Sequence, residues 1–270
     1  MKCELCAFNT PKGTATAVFL KNGALLLVKR NQNPHKGKWD LPGGYMNQGE
    51  APEETLRREM KEELGINISC DFIGWFPGTA SWNKKTYAIL SHAYLADYQG
   101  EITLDKKENA SFAWVPLKKI KPSSVAFDSN QAIVRMLKKK FDVDYPALVR
   151  LIAQLDSSAT VNEMNLYRSL IYGYMSKKVI KGKLVGAGWI FPRRTFLRKQ
   201  AVVEDMIVDE SQRGKGLGKE ILLDLLRWAK KEGVEVVELT TNPSRIAANA
   251  LYQKIGFKLH PTNHYLYRIQ

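Results

Sequence analysis

Three glutamates, Glu59, Glu62 and Glu63, stand at positions i, i+3 and i+4 of an amphipathic stretch in this 270-residue chain. In an α-helix those positions share a face. Carboxylates crowded together repel one another and resist ionising without a counter-charge. A hard divalent cation, Mg²⁺ or Mn²⁺, relieves that repulsion through oxygen ligands. Such an ion can bridge phosphate oxygens and lower the pKa of a bound water, which is the chemistry of pyrophosphate hydrolysis. Gly44 permits a tight turn that offers its carbonyl to the cation. Arg58 is expected to point away from the carboxylates and hold the preceding loop through Glu50. Alone, three helical glutamates describe a solvated acidic face balanced by Arg57, Arg58 and Lys61.

A second group lies far downstream. Residues 202–208 read as a buried strand, and Arg213, Gly214, Lys215, Gly216, Leu217, Gly218 and Lys219 follow. Glycines at alternate positions let backbone amides approach a ligand, and a helix starting there adds its positive end. With three cations beside it, this is a candidate pyrophosphate cradle. It fits neither the Walker pattern nor a dinucleotide fingerprint. An ordinary surface turn has the same glycines.

The spacing around each group settles these alternatives. Gly44, five residues, Glu50, seven residues, Arg58-Glu59, then Glu62-Glu63, one residue, Gly65 and an apolar residue resembles the Nudix box at every defined position. The stretches LLLVKR, GKWDLPGG and FAWVPL also look like that family. The resemblance covers residues 14–141. It implies an α/β/α sandwich, Mg²⁺ dependence, and water attack on a nucleoside diphosphate linked to another moiety. By the same resemblance Glu59 and Glu63 are the main metal ligands, with Gly44, and Glu62 is a ligand or water activator. Glu62 and Glu63 are thus the catalytic candidates, and Glu108 a weaker extra carboxylate. Trp75, Phe76 and Trp82 are candidates to stack a base, although core packing is the ordinary role of at least two. No signature of NADH-, ADP-ribose- or diadenosine-polyphosphate-cleaving relatives is visible, so the substrate stays open.

Arg213, Gly216 and Gly218, followed some thirty residues later by Asn249-Ala-Leu-Tyr252 and Gly256-Phe257, resemble the GNAT acyltransferases. That resemblance covers residues 145–270, with a compressed start in which the usual first strand is not evident. It implies acetyl-CoA as cofactor, its pyrophosphate on residues 213–219. The acyl carbonyl would lie at the strand formed by Met206, Ile207 and Val208, where backbone amides polarise it. Glu204 would accept the amine's proton through water, Tyr252 would protonate the departing thiolate, and Asn249 would bond the pantetheine arm. Plain packing of Tyr252 on Phe257 is the competing role.

The elements that must position these residues are legible in outline. Residues 14–20 and 24–28 are β-prone runs around Lys21-Asn22-Gly23, a hairpin signal. Residues 52–64 are helical, opened by Pro52 and closed by Gly65. Strands are expected at 66–76, 86–96 and 111–115, and a helix at 131–141. Past a short junction near residues 142–145, residues 145–155 look helical and 161–173 are ambiguous. Residues 183–191, 201–208, 234–240 and 265–269 are expected strands, and 219–232 and 244–256 helices. The expected fold class is therefore α/β with mixed sheets: a 13-residue N-terminal segment, a Nudix domain at 14–141, and a GNAT domain at 145–270.

Bulk composition agrees with soluble enzyme domains: 44% hydrophobic and 25% charged residues. No apolar run nears the roughly 20 residues of a membrane span, so no membrane partner is expected. The N-terminus lacks a signal peptide's apolar segment, and with three cysteines the chain is expected to be cytoplasmic and thiol-reduced. Cys3 and Cys6 have the spacing of half a zinc site, without a second pair. The net charge of +14 divides evenly between the halves. It favours anionic ligands but brings no recognised RNA module, so specific nucleic-acid binding is not expected.

These readings combine into a bifunctional enzyme. It would cleave a nucleoside diphosphate derivative with Mg²⁺ or Mn²⁺ and transfer acetyl from acetyl-CoA to an amine. The alternative is an active Nudix hydrolase whose GNAT-like half senses acyl-CoA or nucleotide. Coenzyme A, itself an adenosine diphosphate derivative, is one substrate the fusion suggests. Neither the acyl acceptor nor the oligomeric state is readable.

Overall fold

The computed structural model describes residues 10–82, 85–267 and 269. Cys3 and Cys6 lie outside them. The chain packs as two compact units, residues 1–150 with 158–172, and residues 151–157 with 173–270.

The first unit is built on two sheets. One has the order β5 (Gly43–Tyr45), β1 (Lys12–Val18), β7 (Lys85–Gln99), β6 (Asn67–Trp82). In the other, β3 (Ala24–Arg30) pairs with β2 (Leu20–Lys21), β4 (Trp39–Asp40) and β8 (Asn109–Pro116). The β2–β3 turn falls at Asn22-Gly23, both at positive φ (52° and 69°), as the hairpin signal required. Helix α1 (Pro52–Leu64) carries Leu56, Met60 and Leu64 at four-residue spacing, all fully buried against Ala15, Ala17, Phe19 and Tyr94. Gly65 ends it at φ 70°, donating to the Lys61 carbonyl as in the αL closure, while Ile66 N donates to that of Met60. Helix α2 (Asp128–Lys140) buries Ile133, Val134 and Leu137.

β6 and β7 run further than the expected strands, because their pairing continues from Asn67↔Gln99 to Trp82↔Lys85. Helix α3 (Tyr145–Leu155) falls where expected, and the ambiguous stretch resolves as helix α4 (Glu163–Tyr172). Although α4 follows the expected junction, it packs with the first unit. Glu163 accepts from Asn22 N (2.8 Å), Gly23 N (3.0 Å) and the Tyr167 hydroxyl (2.7 Å), and Arg168 Nε bonds Asp71 at 2.7 Å.

The second unit has one sheet in the order β12 (Val236–Leu239), β11 (Lys199–Val208), β10 (Lys183–Arg194), β9 (Tyr174–Ile180). β9 is a strand the sequence pattern did not show. Helix α5 (Leu217–Lys231) buries Ile221, Leu222, Leu225 and Ala229 against Ile190, Ala201 and Val203. It lies close to β10: a Cβ at Gly188 would come 2.8 Å from Ile221 Cγ2, and one at Gly186 would come 2.9 Å from Ile221 Cδ1. Helix α6 (Ile246–Ile255) ends at Gly256 in the left-handed region. The strand expected at 265–269 does not form over its described residues, 265–267 and 269. Residues 258–267 have no regular structure, and Tyr265, Leu266 and Tyr267 are 84–90% exposed, since no sheet edge among the described residues pairs with them. No helix among the described residues is long and apolar enough to cross a membrane.

Candidate functional site

The carboxylate site sits where α1 crosses the β1–β5 edge. Glu63, one turn after Glu59, is 7% exposed and accepts from Gly43 N at 3.3 Å. Gly44 lies against Glu59: a Cβ there would stand 2.2 Å from the Glu59 carboxylate, so any larger residue would make that carboxylate move. Burial, followed by the charges of Glu59 and Glu108, pushes the Glu63 carboxyl well above its usual range. Burial also raises Glu59 despite the Arg58 guanidinium beside it.

Arg58 corrects one expectation. It does grip Glu50, with Nε to Oε1 at 2.7 Å and Nη2 to Oε2 at 2.9 Å, and it also donates to the Tyr45 carbonyl at 3.1 Å. It does not point away from the carboxylates, because Nη1 pairs with Glu59 at 2.8 Å and Glu62 at 3.1 Å. A guanidinium carries enough donors in one plane to serve the loop and the helix together. The Glu50 carboxyl is held far below its usual range, chiefly by Arg58 and then by Asn47 N. Glu62 is turned outward, its side chain 60% exposed.

As they stand, no three acidic, histidine or cysteine side chains among the described residues converge tightly enough to hold a cation. Glu59 and Glu63 still fit one. They are two hard-oxygen donors whose charge burial disfavours, Glu59 answered in part by Arg58 and Glu63 by the Gly43 N–H, beside a carbonyl-bearing turn. Mg²⁺ commonly takes only one or two protein carboxylates and fills its other positions with water and substrate phosphates.

Both carboxylates line a cavity of about 580 Å³ that also takes in Glu108, Asn109, Asp40 and Asn130. Asp40 is buried beneath it and accepts from Asn130 Nδ2 (2.7 Å), Leu41 N (2.9 Å) and Arg30 Nη1 (3.1 Å). Burial outweighs these three bonds and raises its carboxyl to about 6. Among the described side chains the cavity's aromatic residues are Tyr45, Tyr87 and Phe127, while that of Trp82 lies outside the described set. Trp75 is 64% exposed and leans on Phe72, with ring centres 4.8 Å apart. Neither it nor Phe76 lines this cavity. Asp40, Asn109, Asn130 and Phe127 escaped sequence reading because they come from separate elements with no shared spacing.

In the second unit the glycine-rich turn opens α5. Gly214 and Gly216 take φ 78° and 80°, and a Cβ at either would meet nothing within 4 Å. Gly216 is the N-cap and no side chain caps the helix, so the first-turn amides of Leu217, Gly218 and Lys219 face outward without a side-chain acceptor. Arg213 Nε bonds the Val208 carbonyl at 3.2 Å, tying the turn to β11, while Lys215 bonds Gln212 at 2.9 Å and Lys219 is exposed. This cradle suits a pyrophosphate. In β11 the ladder with β10 slips between Ile207↔Ala187 and Glu204↔Trp189, placing an extra residue on β11 with Asp205 at φ 49°. Its pairing with β12 ends at Val203↔Leu239. Glu204 to Val208 therefore lie beyond the last pair, bent at the bulge.

Burial, and then Asp205, raise the Glu204 carboxyl, partly offset by His264. Burial raises the Tyr252 hydroxyl, and its ring meets Phe257 at 6.0 Å. The Asn249 Nδ2 is committed to the backbone carbonyls of Asn242 (3.1 Å) and Arg245 (3.0 Å), which leaves its Oδ1 for any ligand.

The NUDIX domain profile matches residues 11–140, and the acetyltransferase (GNAT) family profile matches residues 148–257. A nucleoside triphosphatase NudI of Escherichia fergusonii is 34% identical over 131 residues, covering 44% of this chain and 89% of that protein. An ADP-ribose pyrophosphatase of Methanocaldococcus jannaschii is 43% identical over 56 residues, 21% of this chain and 33% of that protein. The N-acetyltransferase YvbK of Bacillus subtilis, itself uncharacterised, is 40% identical over 68 residues, 25% of this chain and 44% of that protein. The chain thus spans less than half the length of the last two. With the glutamate helix in one unit and the glycine cradle in the other, the chain belongs to the Nudix family through its first half and carries a GNAT acetyltransferase domain in its second.

Proposed function

We propose that this protein is a bifunctional enzyme that hydrolyses a nucleoside diphosphate derivative with Mg²⁺ or Mn²⁺ and transfers acetyl from acetyl-CoA to an amine. The observation that carries the first activity is the buried Glu63 beside the half-buried Glu59, set against Gly43 and Gly44 at the wall of the cavity. A bound divalent ion supplies charge for the phosphates and an acidified water. Glu59 and Glu63, with the Gly44 carbonyl, would hold it. Arg58 fixes the 45–50 loop and keeps Glu59 in place. Glu62 reaches the ion or its water only by releasing Arg58, and its proposed catalytic part depends on that movement.

For acetyl transfer, residues 213–219 would hold the cofactor's pyrophosphate on backbone amides. Acetyl-CoA supplies the activated acyl group. Past the bulge, the strand Met206–Ile207–Val208 would offer backbone amides to the acyl carbonyl. Glu204, with its carboxyl raised, would take the amine's proton. Tyr252, kept protonated by burial, would give one to the leaving sulfur. Asn249 Oδ1 would accept a bond from the pantetheine arm.

The test is a hydrolysis screen over nucleoside diphosphate derivatives with each metal, run beside acetyl-CoA consumption over a panel of amines. Glu63→Gln should lower hydrolysis by more than about tenfold, as loss of metal support does, and leave acetyl transfer unchanged. No hydrolysis of any derivative with either metal would sink the first activity. Acetyl-CoA binding without transfer to any amine would leave the second unit a sensor.

A further inference from the structure

Among the described residues, the Asn109 side chain is an anomaly of the hydrolytic cavity. It is 3% exposed, its Nδ2 has no hydrogen-bond partner, and the residue lines the cavity together with Glu59 and Glu63. Its backbone is fully occupied: the N–H donates to the Asp105 carbonyl at 3.0 Å, and the residue pairs with Arg30 in the β3–β8 ladder. The side chain is therefore fixed at the start of β8 with a donor aimed at nothing. Folded proteins leave few buried amides unsatisfied, and each one calls for a reason.

Several other donors around the cavity are already engaged. Arg58 is shared by Glu50, Glu59 and Glu62, and Arg30 by Asp40 and the Pro34 carbonyl. Lys12 sits over the rings of Tyr87 and Tyr45, 4.8 and 5.6 Å from their centres. Asn130 Nδ2 is held by Asp40. A substrate entering this cavity brings oxygen acceptors. Glu108, the neighbour of Asn109, acts on the charge of both Glu59 and Glu63, so this wall of the cavity stands close to the carboxylates that would hold the cation.

We propose that Asn109 binds the substrate, its Nδ2 donating to an oxygen of the nucleotide's phosphate chain. This deepens the hydrolytic reading and rests on it. A neutral donor suits the place, because it can bond a phosphate oxygen without pairing permanently with the neighbouring glutamates, as a cation would. The unmet bond destabilises the empty enzyme and is made only when substrate arrives.

Two variants test this, both in the full chain. Asn109→Leu keeps the size and removes the orphan amide. Its unfolding midpoint without ligand should rise, on the order of 2–4 °C. Its KM for the cleaved nucleotide should rise about tenfold, a loss of about 1.4 kcal/mol, and inhibition by Mg²⁺-pyrophosphate should weaken by a similar factor. Asn109→Asp, an isosteric acceptor, should weaken both at least as much, and it carries the test if the leucine variant does not fold. Three results overturn the proposal. In the first, the midpoint rises with unchanged KM and pyrophosphate inhibition, which makes the orphan amide purely structural. In the second, Asn109→Asp retains wild-type affinity, which makes the group an acceptor. In the third, KM rises with unchanged pyrophosphate inhibition, which moves the contact to the base or the linked moiety. Pyrophosphate binding, read from the midpoint shift, needs no hydrolysis. A wild type that binds pyrophosphate but cleaves nothing therefore fails the hydrolytic reading while still testing Asn109.

Discussion

At the scale of single residues, the cavity beside Glu59 and Glu63 is lined by carboxylates that burial disfavours, and Asp40 shows what that burial costs. It is fully buried, and its carboxyl stands at about 6 rather than 3.8 even with Arg30, Asn130 and Leu41 N bonded to it. The folded state thus holds a proton on Asp40 that the unfolded chain releases earlier. That favours folding by about 3 kcal/mol below pH 3.8, and the gain is lost as pH climbs through about 6. Asp40→Asn cannot titrate, so the fall in stability across that window should shrink by up to this amount. Urea unfolding of both proteins at several pH values across the window measures it. Identical slopes would mean that Asp40 is already ionised in the fold. Legibility at this scale divides by sequence distance. Glu59, Glu63, Gly44 and the Glu50–Arg58 pair were readable because one helix and its leading loop carry them at fixed spacing. Arg58's second allegiance, to Glu59 and Glu62, was not, since spacing gives a residue's face but not how a five-donor fork divides its bonds. Asp40, Asn109 and Asn130 meet only through tertiary packing, and nothing local announces them.

Elements were legible where a period or a cap wrote them into the chain. Helix α1 begins at Pro52 and stops before Gly65 because its own residues specify both ends, and α5 shows its apolar stripe openly. Strand ends were harder, since β6 and β7 extend each other by pairing. β9 exists because β10 offers it an edge, while Tyr265, Leu266 and Tyr267 find none and stay out of the sheet. Gly186 and Gly188 of β10 carry information of another kind: they set how near α5 lies to the sheet. An added methyl at Gly188 would meet Ile221 at 2.8 Å, Met206 at 3.1 Å and Leu225 at 3.2 Å, contacts from both α5 and the bulged part of β11. Gly188→Ala is therefore expected to destabilise the second unit by about 1–3 kcal/mol through overpacking. Because α5 carries the glycine cradle at its N-terminus, the apparent affinity for coenzyme A should fall as well. Calorimetric unfolding with a coenzyme A titration checks both, and hydrolysis in the same preparation should be unchanged. A variant of full stability and affinity would mean that α5 can withdraw from the sheet freely.

On the scale of the whole molecule, the chain does not divide at one point. It leaves the first unit within α3 and comes back for α4 before β9 begins the second sheet. The junction expected near residues 142–145 marks where the sequence motifs part, and α4 still completes the first unit's packing. Tyr167, 1% exposed, stacks obliquely on Phe141 with ring centres 5.3 Å apart, and Glu163 closes the β2–β3 turn by accepting from Asn22 and Gly23. Burial, and then Glu163, raise the Tyr167 hydroxyl and keep it a donor. Glu163→Ala removes the acceptor for all three groups, and losing part-buried hydrogen bonds to a charged partner costs about 1–3 kcal/mol. If the two units unfold separately, this substitution should lower the transition that Mg²⁺-nucleotide raises, by about 2–4 °C per kcal/mol for a unit of this size, and leave the transition that coenzyme A raises in place. Glu163 belongs to the acetyltransferase half by sequence order and to the hydrolase half by its bonds, so the two assignments predict opposite transitions. Differential scanning calorimetry with each ligand in turn decides between them. A shift confined to the coenzyme A-sensitive transition would return α4 to the second unit, and a single transition moved by both ligands would mean that the halves fold as one.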